Sequence, residues 1–217
     1  MIRSSLAGSM AVLRVTLVQK NPANPPTEDL RKRLAQEKTD FILLSGPGGD
    51  SNSALDWLHR LSDSSPAIVM GGLFRSPDGT TGCPVLLDGA LIDTIPEIME
   101  ATEPVLILKG QRFATLPGKS ALSEDNFKNL EEQKIRLVFC PVLAAADDPV
   151  QSPDHFQKMA RDNMMVIAKC AGCGRWDGKE LAGQSFIAAP SGISWRVSEQ
   201  EYQREIIKTL AVQPPAE

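Results

Sequence analysis

The chain of 217 residues is 42% hydrophobic, enough for one sizeable core, and its net charge of −4 gives a pI near 5.3. That balance argues against a phosphate-neutralising surface: the basic run Arg31-Lys32-Arg33 sits within a helical pattern, and aromatics at 5% are too few for base-stacking platforms. No apolar run approaches the roughly 20 residues of a membrane helix, and four scattered cysteines in a chain this long fit reduced thiols in the cytoplasm better than a disulfide framework.

Residues 1–10 read as a loose tail, because Arg14 interrupts the apolar run that could suggest a signal peptide. Ala11–Gln19, β-branched and apolar, predicts a central strand, and the proline-rich 21–26 its exit loop. Thr27 is placed to cap a helix with Glu28 and Asp29 in the first turn and Leu30 and Leu34 on its inner face. Phe41–Leu44 predicts a buried strand. The glycine-rich 45–53 then leads to a helix capped by Ser53 and carrying Leu55, Leu58 and Leu61. Ile68–Gly71 is the next strand. Val85–Leu87 and Leu91–Thr94 flank the turn signal Asp88-Gly89.

Val105–Leu108 and Phe113–Leu116 make a further pair, followed by the turn Pro117-Gly118-Lys119-Ser120. Ser123 caps a helix carrying Phe127 and Leu130, and Ile135–Cys140 is a strand. After the loop 144–151, Ser152 and Pro153 open a helix with Phe156, Met159 and Ala160 on one face. Val166–Cys170, Gln184–Ala189, Ile193–Val197 and Gln203–Leu210 complete the strands, with 173–183 a loop. Strand–helix–strand units interrupted by hairpins do not suit one parallel sheet. They predict an α/β fold in which two sheets pack together with helices outside, a four-layer α-β-β-α sandwich. Residues 11–210 form its single domain and 211–217 a second tail.

Several stretches, in chain order, resemble the nitrilase (carbon–nitrogen hydrolase) superfamily. Val15–Gln19 with Asn21-Pro22 is similar to its first strand, and Phe41–Pro47 to the strand that ends in Pro-Glu. Gly110-Gln111-Arg112-Phe113 resembles the G-x-R-I leading to the nucleophile. Ala160–Asn163 with the apolar residues after it resembles R-A-x-E-N-x-x-x-V-V, and Gly183–Gly192 resembles G-x-S-x-I-x-x-P-x-G. The resemblance implies the same sandwich and the hydrolysis of amides or nitriles. In that chemistry a cysteine attacks, a glutamate moves the proton and a lysine stabilises the oxyanion. It also implies self-association through a helical face, hence a homodimer. The family's C-terminal oligomerisation arm is largely absent from a chain that stops soon after Leu210.

All three catalytic positions are vacant. Gly48 follows Pro47, and no glutamate occurs between Glu37 and Glu97. Glu97 stands near the lysine position, with no lysine between Lys38 and Lys109. Gly118 stands at the cysteine position, with no cysteine between Cys83 and Cys140. The resemblance therefore supports the fold and argues against the reaction. A nitrilase-fold protein without that activity, binding a small molecule or a protein, is the expected reading, with no cofactor.

Candidate pocket residues remain. Cys140 or Cys170 could be a relocated nucleophile in a carbon–nitrogen hydrolase. Cys170 and Cys173 form a C-x-x-C that could act as a redox pair or, with Cys140 and His155, hold a metal. Asp162 matches the family's supporting glutamate, one methylene shorter. Gly118-Lys119-Ser120 has the ending of a phosphate loop, but Phe113 replaces the earlier glycine of G-x-x-x-x-G-K-S/T, so that match fails. These side chains, if functional, should share one pocket; no metal is expected there.

Overall fold

A computed structural model of the chain describes residues 12–76, 79–98 and 104–216. The first half opens with β1 (Leu13–Gln19), α1 (Glu28–Gln36), β2 (Phe41–Leu44), α2 (Ser51–Ser64) and β3 (Ile68–Met70). It continues with β4 (Phe74–Arg75), β5 (Thr81–Leu87) and β6 (Ala90–Pro96). The second half runs through β7 (Val105–Leu108), β8 (Gln111–Thr115), α3 (Glu124–Glu132), β9 (Leu137–Val142), α4 (Pro153–Asp162) and β10 (Val166–Ala171). The hairpin β11 (Arg175–Trp176) and β12 (Lys179–Glu180) follows, then β13 (Phe186–Ala189), β14 (Gly192–Arg196) and β15 (Ile206–Val212).

Helix starts follow the capping chemistry in the sequence. Thr27, Ser123 and Ser152 accept from the backbone of Leu30, Asn126 and His155. The expected cap Ser53 is instead a donor: Asp50 accepts from Ser53 N and α2 starts two residues earlier. Its buried face is Ala54, Trp57, Leu58 and Leu61, with Leu55 only half-buried. The Pro117–Ser120 turn is the start of a 3-10 segment, Gly118–Leu122. The last strand begins at Ile206, because 199–201 form another 3-10 turn.

One sheet runs β15-β1-β2-β3-β5, with β4 and β6 also paired to β5; the other runs β14-β13-β10-β9-β8-β7. The centres, β1-β2-β3 and β8-β9-β10, are parallel, and every flanking pair is antiparallel. Alternation along the strands sorts the apolar residues into three layers of contact. Val15, Leu17, Phe41 and Leu43 meet Phe113, Phe139, Ala168 and Cys170 between the sheets. There Phe41 packs 5.2 Å from Phe113 and 4.9 Å from Phe139, centroid to centroid. Val18, Ile42 and Leu44 face Leu34, Trp57 and Leu58 of α1 and α2. Val138, Cys140 and Ile167 face Phe127 of α3 and Phe156 and Met159 of α4. The order is therefore helices, sheet, sheet, helices: the expected four-layer α-β-β-α sandwich.

Candidate functional site

In a sandwich of this kind the loops after the parallel strands converge at one end, where ligands are bound. Five segments meet there: Lys20 after β1, Ser45–Gly49 after β2, Pro117–Gly118 after β8, Leu143 after β9 and Gly172–Cys173 after β10. Backbone bonds knit them, Ser45 N to Val18 O, Leu116 N to Phe139 O, Gly172 N to Val142 O and Cys173 N to Lys20 O. Leu143, half-buried, sits between the loops that leave β2 and β10. A β-carbon on Gly46 would stand 3.3 Å from it, and one on Gly172 only 2.3 Å. An apolar side chain thus packs against both glycines at this end.

Gly48 has φ +74°, and a β-carbon there would stand 2.3 Å from the carbonyl of Asn24. The loop 21–24 folds over it, with Asn24 N bonded to Asn21 O and Gly49 N to Pro22 O. The backbone at this position therefore demands glycine, and a glutamate has no room. Behind that loop, buried Lys20 donates to Asn24 O at 2.7 Å and pairs with Glu205 at 3.4 Å.

Glu97 and Gly118, distant in sequence, come together. Gly118 has φ +51°, and a β-carbon on it would lie 2.2 Å from Glu97 Oε1. The same oxygen is 3.5 Å from Lys119 N. A carboxylate thus fills the space that a side chain at 118 would need.

The other four candidates do not share a pocket. Cys140 and Cys170 are fully buried on opposite faces of the second sheet, one toward the helices and one toward the first sheet. Burial pushes the Cys140 thiol far up and that of Cys170 to about 12. Asp162 is exposed at the end of α4, 3.0 Å from Arg161 Nε. His155 is half-buried, its Nε2 2.8 Å from Ala121 O and its ring against Phe127 and Phe156. It ties α4 to the 3-10 segment rather than facing a cavity. Cys173 is buried too, and burial, then nearby Glu205, raises its thiol to about 11. Cys83 is raised to about 12 by burial. All four cysteines are free thiols, and among the described residues no three His, Cys, Asp or Glu side chains gather closely enough to hold a metal ion.

The sequence reading missed two groups. The first is Lys169, with 0% of its surface exposed. Its ammonium donates to Gln151 Oε1 and, at 3.2 Å, to Gln184 O, and lies 4.8 Å from the Phe186 centroid and 5.7 Å from that of Phe156. Gln151 in turn donates to Ala144 O at 2.8 Å. Burial lowers the lysine's pKa to about 7, against its interactions with Cys140, Cys170 and Asp148, which raise it. The signal was a lone charge in an otherwise apolar strand, β10. The second is the hairpin β11–β12, turned at Asp177-Gly178, whose positive φ values of 51° and 76° mark a tight turn. It walls a cavity of about 390 Å³ that also meets Lys119, Leu143 and the loop 144–148.

No protein-family model and no curated protein matches the sequence. Solved structures do match. One is a cysteine-to-alanine mutant of the Nesterenkonia AN1 amidase from the nitrilase superfamily, at TM-score 0.76 and 16% identity, over 93% of this chain and 90% of that one. Another is Saccharomyces cerevisiae Nit3, a member of branch 10 of the nitrilase superfamily, at TM-score 0.75 and 14% identity, over 94% and 90%. A third is a double mutant of the Nesterenkonia amidase in complex with acrylamide, at TM-score 0.77 and 14% identity, over 93% and 90%. Across nearly its whole length, the chain has the fold of nitrilase-superfamily proteins.

Proposed function

We propose that this protein uses the nitrilase fold to bind a small molecule and does not hydrolyse amides or nitriles. One observation carries the reading: at the convergence of the strand ends, the Glu97 carboxylate stands over Gly118 where an attacking side chain would have to be. A glycine offers no nucleophile, and a carboxylate repels the oxyanion that acyl transfer must stabilise. The cysteines give no substitute, since thiols held at about 11 or above supply almost no thiolate at neutral pH. That counts against the rival reading, a hydrolase with its nucleophile moved to Cys140 or Cys170. The same reading includes a homodimer and a reducing, cytoplasmic setting for the four free thiols.

The test is a panel of aliphatic and aromatic amides and nitriles. No ammonia release above the buffer rate is expected; turnover abolished by Glu97→Gln or by one Cys→Ala change would sink the reading. Iodoacetamide should label every cysteine slowly in the folded protein near neutral pH. Sedimentation across concentrations checks the dimer, and a monomer throughout removes that part.

A further inference from the structure

The two sheets end in strands whose outer N–H and C=O groups meet no further strand. Such an edge invites pairing with another chain unless something blunts it. Most edges here are blunted. β4 is two residues long and carries Arg75. β14 carries Arg196, and its register slips opposite Ile187 and Ala188. β15 carries the exposed Lys208. β6 is closed by its own chemistry. Glu97 N bonds to Thr81 O, so in this register the N–H of Thr94 points outward; Asp93 Oδ1 takes it at 2.7 Å, and Pro96, the next outward position, has no N–H.

Among the described residues, only β7 is an edge without such a device. Val105–Leu108 is wholly aliphatic, with no charge, proline or bulge, and Ile107 is 65% exposed. Thr115 N bonds to Pro104 O, so Leu106 and Leu108 exchange bonds with Phe113 and Gln111. Val105 and Ile107 therefore turn their N–H and C=O groups away from β8. The two neighbouring cations are tied back into the chain: Lys109 donates to Pro66 O, and Arg112 to Gln133 O at 3.0 Å.

The symmetry of this array selects its occupant. A second copy laid antiparallel about a two-fold at Leu106 sets Val105 against the partner's Ile107, and Ile107 against the partner's Val105. Each such pair can exchange two main-chain bonds. The same operation matches aliphatic groups on both faces. Val105 meets the partner's Ile107 on the helix side, where Val105 packs, and Leu106 meets the partner's Leu106 on the side of the core between the sheets. β15 fails this test. Glu37, which accepts from Thr209 at 2.9 Å, would be carried toward its own copy by an axis at that strand's middle.

We infer that β7 is the surface through which two copies of this chain associate, joining two six-stranded sheets edge to edge. This rests on the homodimer of the proposed function, and it puts a sheet edge where the family resemblance implies a helical face. The experiment is sedimentation of the full chain across concentrations, with edge variants. Ile107→Lys should weaken the dimer at least about tenfold with an unchanged melting temperature. Leu91→Lys, equally exposed to solvent but on β6, should leave it unchanged. Leu106→Cys should cross-link into a dimer when oxidised in air with copper phenanthroline, because the two-fold brings its α-carbon to about 4.5 Å from its copy. Leu91→Cys should not. The amides of Val105 and Ile107 should exchange more slowly with deuterium as the dimer fills, while those of Leu106 and Leu108, already bonded to β8, stay constant. A dimer that survives Ile107→Lys, a failed Leu106→Cys cross-link, or Val105 and Ile107 amides that exchange as fast in the dimer as in the monomer overturns the inference and leaves the homodimer standing. A wild type that is monomeric throughout overturns both and leaves the edge to a strand from another protein.

Discussion

Two units of the molecule have the same plan and different interiors. β1-α1-β2-α2-β3 and β8-α3-β9-α4-β10 each lay three parallel strands under two helices. Under α1 and α2 the strands present Val18, Ile42, Leu44 and Val69, together with the uncharged Thr16. Under α3 and α4 they present Val138, Cys140 and Ile167, but also Lys169. The layered plan therefore does not require an apolar interior throughout. The charge is kept in the second unit, where it bridges Gln151 and Gln184. A buried ammonium costs stability unless its donors are met. Here it gains two acceptors and two aromatic faces, and through Gln151, which donates to Ala144 O, it is linked to the loop 144–151.

The contrast can be broken most strongly from the apolar side. Leu58→Ala, which empties the contact between α2 and its sheet, should cost about 2–5 kcal/mol in chemical denaturation. The second unit should announce its charge through pH. The folded pKa of Lys169, about 7, lies below its ordinary 10.5. Between those values the unfolded chain holds a proton that the folded chain does not, so stability rises with pH; below about 7 the full penalty is present. Above about 9 the four buried thiols oppose this, because they ionise only on unfolding. The clean window is therefore pH 7 to 9, with a gain of up to about 3 kcal/mol at roughly 1.4 kcal/mol per unit. Lys169→Met should flatten that slope; an unchanged slope would refute the assignment.

Gly118→Ala should cost about 1–3 kcal/mol, from its positive φ and from contact with Glu97. Glu97→Ala in the same chain should recover the contact part only. Smallest and equal in the two units are the caps. Thr27→Ala at α1 and Ser123→Ala at α3 should each lose about 1 kcal/mol, measured as melting temperature.

The layers were legible in the sequence because burial imposes a pattern: Phe41–Leu44 and Ile135–Cys140 read as buried strands on their own, although the second runs two residues later, as Leu137–Val142. Ser53 was misread as a cap because Asp50, three residues earlier, offers a better acceptor to the same turn. The hairpin at Asp177-Gly178 reads as loop in the sequence, although Asp-Gly also marks the turn at Asp88-Gly89; two-residue strands leave almost no alternation to detect. Of the candidate site, Glu97 and Gly118 were found as positions and are in contact in the structure. Cys140, Asp162, Cys170 and His155 were gathered by residue type alone. Strand parity sends Cys140 and Cys170 to opposite faces, and no local pattern carries that information without knowing the register. Lys169 stands out in the sequence as the one charge in its apolar strand.

The placement of Glu97 over Gly118 also couples two positions that lie far apart in the chain. A side chain can enter position 118 only after the carboxylate at 97 has been shortened or swung aside, and only at a backbone angle that resists it. The effect of any substitution at 118 therefore depends on which residue stands at 97, and the stability effects of changing both will not add.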